Sequence, residues 1–253
     1  MQKRALRLAS NQIRRYNDRN YLHLRNRDGA AMSKIALIAG ASGLIGQELL
    51  QMLLNIGVYR EVIALVRREL PLQHGKLRQA VVDFDGLDKL DRSVLSADDV
   101  FCCLGTTIKK AGSKEAMYRI DAEYPLALAC AARSAGASQY IVVSSIGADA
   151  NSSNFYLRTK GAMEEGLRAQ GFAALHIMRP SLLLGERQEF RFGERAAAVL
   201  AKPLSVLLAG PLRKYRPVQA SVVARAMLHA AQREPRGVSV HESETLPALA
   251  GRA

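Results

Sequence analysis

With 253 residues, 49% of them hydrophobic, the chain is long enough to bury the core of one α/β domain with a small appendage. It contains no run of about 18 apolar residues, so we expect neither a transmembrane helix nor a membrane partner. The net charge is +13, but the basic residues form no stripe with interleaved aromatic residues, so we expect no nucleic-acid partner.

Residues 1–31 differ in composition from the rest of the chain. They contain eight basic and two acidic residues, a net charge of +6, and they lack a sustained apolar face. They also lack the continuous apolar stretch of a secretory signal, whereas the Arg-rich, acid-poor composition leaves an organelle transit peptide as an alternative. We predict that residues 1–31 are a basic extension outside the core and that residues 32–253 form a single folded domain.

The three cysteines and five histidines show no metal-ligand spacing, so we expect no metal site. Cys102 and Cys103 are adjacent within an apolar run, and Cys130 lies apart from them. Adjacent cysteines of this kind indicate reduced thiols in a core rather than a disulfide framework. On this basis we predict a cytoplasmic protein.

The first predicted elements are a buried strand over residues 35–39 and a helix over residues 44–54. Between them, Gly40, Gly43 and Gly46 have the spacing G-x-x-G-x-x-G. Strand, glycine turn and helix in this order are typical of a dinucleotide-binding site, where the backbone approaches a pyrophosphate at the helix N-terminus. An ordinary glycine-containing turn is the alternative.

The second predicted strand, residues 61–66, ends at Arg67 and Arg68. A site that prefers NAD usually carries Asp or Glu here, about 20 residues past the glycines, to hold the ribose 2′-hydroxyl. A guanidinium instead suits a 2′-phosphate, through bidentate, charge-assisted hydrogen bonds. The pair therefore favours NADP(H) over NAD(H), with a solvated surface pair as the alternative.

The third and fourth strands are predicted over residues 77–84 and 99–104. Asp83, at the end of the third strand, either accepts a hydrogen bond from the adenine amino group or caps the helical segment that follows. Gly105 follows the fourth strand and would let the chain pass beneath the cofactor. The two threonines after it are candidates for contact with phosphate or ribose.

A long helix is predicted over residues 113–135, with an apolar stripe along its inner face. Pro125 lies within this pattern and removes a helical N–H donor, so we predict a kink or break near Glu123. A fifth strand over residues 139–143 follows.

The chemistry is predicted to centre on Tyr156 and Lys160, within the sequence YLRTK. Residues at i and i+4 share one helix face, so an ammonium lies beside a phenol and favours the phenolate. Such a phenol can exchange a proton with an alcohol oxygen during hydride transfer. Ser144 or Ser145, at the end of the fifth strand, would hold the substrate oxygen. The motif also occurs by chance in helices, and its position after the glycine fingerprint is what gives it weight.

The last third of the chain begins with a predicted sixth strand over residues 173–178. The loop over residues 185–194 is dense in charge. Its Arg187 and Arg191, with Glu194, either anchor a polar substrate or pair with each other in a solvated loop.

Three further segments follow the charged loop. An apolar helix over residues 196–208 would form a wall of a substrate cleft or a subunit contact. An amphipathic helix is predicted over residues 218–231. Beyond residue 235 we expect at most one short strand near residues 238–240 and then a loose tail.

Several of these segments together resemble the extended and atypical short-chain dehydrogenase/reductase superfamily, and more narrowly the branch of the human Tat-interacting oxidoreductase and its bacterial relatives. The resemblance runs from about residue 35 to residue 230 and does not reach residues 1–31. It is carried by GASGLIG, VVDFDGLD, FCCLGTT, KKAG, SSIGADANSSNFYLRTKG and MRPSLLLGERQEFRFGE.

The resemblance implies a Rossmann-type, doubly wound parallel sheet, with substrate-side segments at about residues 181–217 of an NAD(P)-binding domain. It implies an NADP(H) site, and catalytic roles for Tyr156, Lys160 and one serine of the pair Ser144 and Ser145. The residues predicted to contact the cofactor are Gly40, Ser42, Gly43, Leu44, Ile45, Gly46, Arg67, Arg68, Asp83, Phe84, Leu104, Gly105, Thr106, Thr107, Lys160, Arg179, Pro180 and Ser181.

The favoured function is therefore an NADP(H)-dependent oxidoreductase that acts on a carbonyl or alcohol substrate of unknown identity. The alternatives are a regulatory protein that senses NADPH through a protein partner, and an enzyme similar to nucleotide-sugar epimerases. A monomer or a homodimer is compatible with the sequence.

Overall fold

The computed structural model describes residues 34–184, 210–233 and 236–251 of the chain. The basic extension over residues 1–31 and the helix predicted over residues 196–208 lie outside these ranges. Arg187 and Arg191 of the charged loop also lie outside them.

A parallel sheet forms the centre of the described structure. The described strands are β1 (Lys34–Ala39), β2 (Tyr59–Val66), β3 (Leu77–Val81), β4 (Asp99–Cys102), β5 (Gln139–Val143), β6 (Ala174–Arg179), β7 (Leu183–Leu184), β8 (Val218–Gln219) and β9 (Gly237–Glu242). The order of the central sheet is β3-β2-β1-β4-β5-β6-β9, and a second, two-stranded sheet pairs β7 with β8. The larger sheet runs outward from β1 in both directions, which confirms the predicted doubly wound α/β fold.

The inner strands are buried on both faces, because they are nearly continuous apolar runs rather than alternating ones. All residues of β4 and β5 are buried, and all of β2 from Val62 to Val66. In the β1–β4 pair, Ile38 lies opposite Phe101, and β1 also pairs with β2 along its length. This register brings the carboxyl ends of β1 and β4 to the same edge of the sheet.

Helices cover both faces of the sheet and give the described part of the chain two apolar cores. The described helices are α1 (Leu44–Asn55), α2 (Arg92–Leu95), α3 (Ile108–Ala111), α4 (Lys114–Tyr118), α5 (Tyr124–Ser134), α6 (Phe155–Gln170), α7 (Ala220–Arg233) and α8 (Leu246–Leu249). On one face α1, α7 and α8 pack, and Leu49 and Met227 are fully buried there. On the other face α2, α5 and α6 pack, and Leu128 and Met163 are fully buried there.

The long helix predicted over residues 113–135 consists of α4, a π-helical segment over Arg119–Glu123, and α5. Pro125 occupies the first turn of α5, where its missing N–H costs little. The irregular turn therefore ends at Glu123, the residue near which the kink or break is predicted. A π-helical turn holds one extra residue, and such turns are frequent at functional sites.

The loose tail predicted for the C-terminus is wrong. β9 pairs with β6 over six residues, and the short α8 buries Leu246 and Leu249 against α7. Elements this short carry too little periodicity to be recognised from their own sequence. None of the described helices is both long and apolar enough to cross a membrane.

The β6–β9 pair contains two stacked histidines. The ring centroids of His176 and His241 are 5.5 Å apart with 19° between the planes, and His176 Nδ1 lies 3.2 Å from His241 Nε2. His176 is buried and its Nε2 has no hydrogen-bond partner among the described residues. Burial, and then the neighbouring His241, lower the pKa of His176 to about 4.

We predict that His176 makes the protein less stable in acid. The unfolded chain binds a proton at this residue near pH 6.5 and the folded chain only near pH 4, so its contribution is present above pH 6.5 and is lost as the pH falls toward 4. In His176→Phe, the free energy of unfolding should change by about 2 kcal/mol less than in the wild type between pH 7 and pH 4.5. Urea denaturation at several pH values measures this. Equal pH dependence in the two proteins would contradict it.

Candidate active site

A cleft of about 870 Å³ opens at the carboxyl ends of the strands. Its walls come from the loops that follow β1, β4, β5 and β6 and from the first turns of α6. Most of the sequence-predicted site residues line this cleft. They are Ser42, Gly43, Leu44, Ile45, Leu104, Gly105, Thr106, Thr107, Ser144, Ser145, Tyr156, Lys160, Pro180 and Ser181.

Two of the three fingerprint glycines are required by packing within the protein. Gly40 has φ +84°, and a Cβ on it would lie 2.6 Å from the carbonyl group of Cys103. A Cβ on Gly46 would lie 2.1 Å from the carbonyl oxygen of Gly40. Neither glycine lines the cleft, and both let the loop after β1 lie against the end of β4 and the start of α1.

Gly43 differs from the other two, because it is exposed and faces the cleft. It is the N-cap residue of α1 and supplies no side chain to cap the helix. Within the part of the chain that the structure describes, the N–H groups of the first helical turn, which include those of Leu44 and Ile45, therefore lack a side-chain acceptor. Unpaired N–H groups and the positive end of a helix dipole favour an anion, so the cradle fits a dinucleotide pyrophosphate.

Five predicted cofactor residues of the adenine side and the β6 end lie outside the cleft lining, namely Arg67, Arg68, Asp83, Phe84 and Arg179. Arg67 and Arg68 are exposed at the carboxyl end of β2. Asp83 caps the 3₁₀ helix over Phe84–Lys89, where its carboxylate accepts from the Asp85 N–H at 3.0 Å. This is one of the two roles considered for Asp83.

The prediction that Phe84 contacts the cofactor finds little support in the structure. Its side chain is buried in the core on the α5 face of the sheet. The ring packs against that of Tyr124, with 5.6 Å between the centroids. A ring held there has little surface left for a ligand.

Tyr156 and Lys160 lie one turn apart at the start of α6 and both line the cleft. The helix begins at this place because Asn154 caps it, accepting from the Leu157 N–H at 3.2 Å. Lys160 is buried, and its Nζ lies 2.8 Å from Asp121 Oδ1. The other carboxylate oxygen of Asp121 accepts from the Thr106 N–H at 2.8 Å.

The protonation state of Lys160 follows from these neighbours. Burial lowers the pKa of the ammonium, but the charge of Asp121 and then the interaction with Tyr156 more than offset this, so the pKa is raised. Lys160 therefore stays positively charged beside the phenol despite being nearly inaccessible to water.

Asp121 is the principal residue of the site that the sequence prediction missed. It lies in the π-helical turn between α4 and α5 and is only 1% exposed. A signal was present, because Asp121 follows the buried Met117 by four residues and so falls on the apolar stripe of the predicted helix. A carboxylate at such a position needs a buried cationic partner.

The two candidate serines have different partners. Ser144 is buried, and its hydroxyl donates to Glu164 Oε1 at 2.6 Å. The hydroxyl of Ser145 is half-buried, and its contact with the Ile146 carbonyl oxygen is long, at 3.4 Å. Ser145 is therefore the serine whose proton is available to a ligand in the cleft.

The side chain of Arg179 lies outside the cleft lining, which leaves only its backbone for the predicted contact with the cofactor. Its guanidinium turns away from the cleft and binds Glu164 and Glu242, with Nη2–Oε2 and Nη1–Oε1 distances of 2.6 and 3.0 Å. Hydrogen bonds to Glu164 chiefly raise the pKa of Arg179. The next two residues line the cleft, and Ser181 is held by a hydrogen bond from its N–H to Ser243 Oγ at 3.0 Å.

Gly161 sets the position of α6 beside the loop that follows β5. A Cβ on this glycine would lie 2.1 Å from the Ala150 nitrogen and 2.2 Å from the Asp149 carbonyl carbon. Because these are backbone atoms, no side-chain movement would relieve the overlap. The helix that carries Tyr156 and Lys160 can therefore approach this loop only with glycine at position 161.

The NAD(P)H-binding protein family matches residues 40–200 of the chain. HTATIP2 of Rattus norvegicus is 38% identical over 170 residues, which cover 66% of this chain and 70% of that protein. FMP52, a mitochondrial protein of Eremothecium gossypii, is 36% identical over 170 residues, 66% of this chain and 75% of its own. The mitochondrial fmp52 of Aspergillus niger is 31% identical over 227 residues, 87% of this chain and 96% of its own.

Solved structures of nucleotide-sugar enzymes share the fold at low sequence identity. MoeE5 in complex with UDP-glucose and NAD has a TM-score of 0.61 and 21% identity, over 85% of this chain and 80% of its own. The UDP-Glc/GlcNAc 4-epimerase of Campylobacter jejuni has a TM-score of 0.62 and 14% identity, over 83% of this chain and 78% of its own. These similarities support the fold alone.

The prediction of a cytoplasmic protein is contradicted by these relatives, since several FMP52 proteins are named as mitochondrial. The prediction rested on Cys102 and Cys103 as reduced thiols. Both are free in the structure, but a free thiol reports a reducing environment and does not distinguish the cytoplasm from the inside of an organelle.

We predict that Gly161→Ala destabilises the protein, because the added methyl group overlaps the backbone at Asp149 and Ala150. Overpacking of this kind costs about 1–3 kcal/mol of the free energy of unfolding. Urea denaturation measures the loss. Gly57→Ala is the control, since no atom lies within 4 Å of the added carbon there. Equal effects of the two substitutions would contradict the role assigned to Gly161.

Proposed function

Because the chain belongs to the NAD(P)H-binding family, we propose that it is an NADP(H)-dependent oxidoreductase of the short-chain dehydrogenase/reductase type. The reaction is the interconversion of a carbonyl compound and an alcohol. One observation carries the proposal: Tyr156 and the buried Lys160–Asp121 pair share a cleft with the uncapped N-terminus of α1.

Separate groups of residues would hold the two ends of the cofactor. The N–H groups at the start of α1, beside Gly43, would bind the pyrophosphate. Arg67 and Arg68 would bind the 2′-phosphate at the adenosine end, and Lys160 would hold the ribose at the nicotinamide end. When bound, NADP(H) supplies or accepts the hydride.

Tyr156 is the proposed acid and base. Its phenol gives a proton to the substrate oxygen as the carbonyl is reduced, and takes the proton back when the alcohol is oxidised. The Lys160 ammonium stabilises the phenolate that remains, and Asp121 fixes the ammonium in place. Ser145 donates a hydrogen bond to the same substrate oxygen, because its proton is not engaged by a carboxylate.

NADP(H) is proposed over NAD(H) on the strength of Arg67 and Arg68. The structure of MoeE5 contains NAD, but its sequence identity of 21% is too low to transfer a cofactor preference. No carboxylate takes the place of the arginines at the end of β2, since Glu69 lies beyond them. The choice between the two cofactors thus depends on charge at this strand end.

An epimerase-like reaction is a second candidate, favoured by the shared fold with enzymes whose names include UDP-sugars. A sensor of NADPH without turnover is the third. Both would bind the dinucleotide in the same cradle. They differ from the oxidoreductase in producing no net oxidation of NADPH by an added carbonyl compound.

We predict that the protein binds NADPH more tightly than NADH, and that the double substitution Arg67→Ala and Arg68→Ala removes the difference. Loss of hydrogen bonds from charged groups to the 2′-phosphate should weaken NADPH binding about 10- to 100-fold and leave NADH binding unchanged. Fluorescence titration measures both dissociation constants.

Arg60→Ala is the matched control for this experiment, because Arg60 is exposed on the same strand at the opposite end. It should leave both dissociation constants unchanged. NADH binding as tight as that of NADPH in the wild type would contradict the assigned preference.

We predict that Tyr156→Phe lowers kcat for NADPH-dependent carbonyl reduction by about 10²- to 10⁴-fold, because it removes the proton donor. The dissociation constant of NADPH should not change. A panel of aldehydes, ketones and quinones provides the assay, and Tyr215→Phe, at an exposed tyrosine, is the control. Unchanged turnover in Tyr156→Phe would rule out the tyrosine as the acid.

A further inference from the structure

Glu164 is a buried carboxylate for which the proposed reaction has no use. It lies on α6, four residues after Lys160 and eight after Tyr156, so the three side chains share one face of the helix. Glu164 is only 2% exposed. A buried charge needs partners, and one partner of the Glu164 carboxylate, Ser144, lines the cleft.

Three described side chains contact the Glu164 carboxylate. Oε1 accepts from Ser144 Oγ at 2.6 Å and from Arg179 Nε at 2.9 Å. Oε2 accepts from Arg179 Nη2 at 2.6 Å, and Arg168 Nη2 lies 3.7 Å from it. The bidentate arrangement with Arg179 fixes the plane of the carboxylate as well as its position.

Arg179 is itself held from two further directions. Its Nη1 donates to Glu242 Oε1 at 3.0 Å, and its Nη2 donates to the Ala148 carbonyl oxygen at 3.3 Å. The orientation of Glu164 thus depends on β6, on β9 and on the loop after β5. This gives the C-terminal strand β9 a structural connection to the wall of the cleft.

The hydrogen bond to Glu164 determines whether Ser144 can donate to a ligand or only accept from it. A serine hydroxyl has one proton, and an ionised carboxylate can only accept. The proton of Ser144 is therefore committed to Glu164, in a short, charge-assisted hydrogen bond. Towards the cleft Ser144 presents lone pairs, whereas the proton of the neighbouring Ser145 remains available.

We propose that Glu164 is a positioning residue that gives the two serines opposite roles and thereby sets the substrate class. Ser145 donates to the reacting carbonyl oxygen, and Ser144 accepts from a hydroxyl or amino group beside that carbonyl. The preferred substrates are α-hydroxy or α-amino carbonyl compounds and the corresponding alcohols. This inference rests on the proposed oxidoreductase function.

A matched pair of ketones tests the proposal. 2-Hydroxyacetophenone offers a hydrogen-bond donor beside the carbonyl, and 2-methoxyacetophenone offers only an acceptor at the same position. With NADPH, the wild type should favour the hydroxy ketone about tenfold or more in kcat/KM. In Ser144→Ala this ratio should fall to about twofold or less, because the acceptor is gone. A wild type without a preference for the hydroxy ketone would overturn the proposal.

The substitution Glu164→Gln distinguishes a role of Glu164 in orienting the Ser144 proton from a purely structural role in the fold. The neutral amide oxygen accepts a hydrogen bond more weakly than a carboxylate does, so the proton of Ser144 is held less tightly and can turn toward the cleft. The ratio should fall here as well, and the methoxy ketone should gain relative to the hydroxy ketone. Glu165→Gln, at the exposed neighbour on the same helix, should keep the wild-type ratio. An unchanged ratio in a folded Glu164→Gln protein would overturn the proposal.

Binding measurements distinguish failure of this inference from failure of the proposed function. Dissociation constants of both ketones for the complex with NADP⁺ require no turnover and can be measured by calorimetry. If the hydroxy ketone binds better, and both substitutions abolish the difference, the role of Glu164 holds even for a protein that reduces neither ketone. If Glu164→Gln does not fold, the Ser144→Ala result decides.

Discussion

Lys160 and Asp121 form an ion pair with 2.8 Å between Nζ and Oδ1 and with both side chains nearly inaccessible to solvent. Asp121 also accepts a backbone N–H at Thr106, so one carboxylate joins the end of β4, the π-helical turn and α6. Removing one partner of such a pair leaves an uncompensated buried charge, at a cost of about 3–5 kcal/mol. The positive charge of Lys160 beside Tyr156 thus persists because contacts with three elements of the fold hold Asp121 in place.

The helix that carries the catalytic candidates is fixed at three successive positions. Asp121 binds it at Lys160, the loop after β5 touches its backbone at Gly161, and Arg179 binds it at Glu164. A single helix face therefore carries both the proposed acid and the contacts that orient it. Preorganisation of this kind contributes to catalysis because the reacting groups lose less conformational freedom on reaching the transition state.

The sequence predicted those parts of the site that local patterns encode. Gly40, Gly43 and Gly46 are recognisable because a strand, a turn and a helix adjoin them, and Tyr156 with Lys160 because they lie one turn apart. Asp121 and Glu164 were missed, since their partners are distant in the chain and become neighbours only when helices pack. The ion pairs of the Arg179 side chain are likewise not encoded locally, because its two carboxylate partners come from α6 and β9.

In the proposed reaction, the cleft brings a hydride carrier to the carbonyl carbon of the substrate and Tyr156 to its oxygen. Transfer of deuterium from NADPH labelled at one or the other face of the nicotinamide C4 carbon tests this directly. With a panel of carbonyl compounds, mass spectrometry should find deuterium at the carbinol carbon of a product, and from only one of the two labelled forms. Tight binding of NADPH with no deuterium in any product would contradict the proposed hydride transfer.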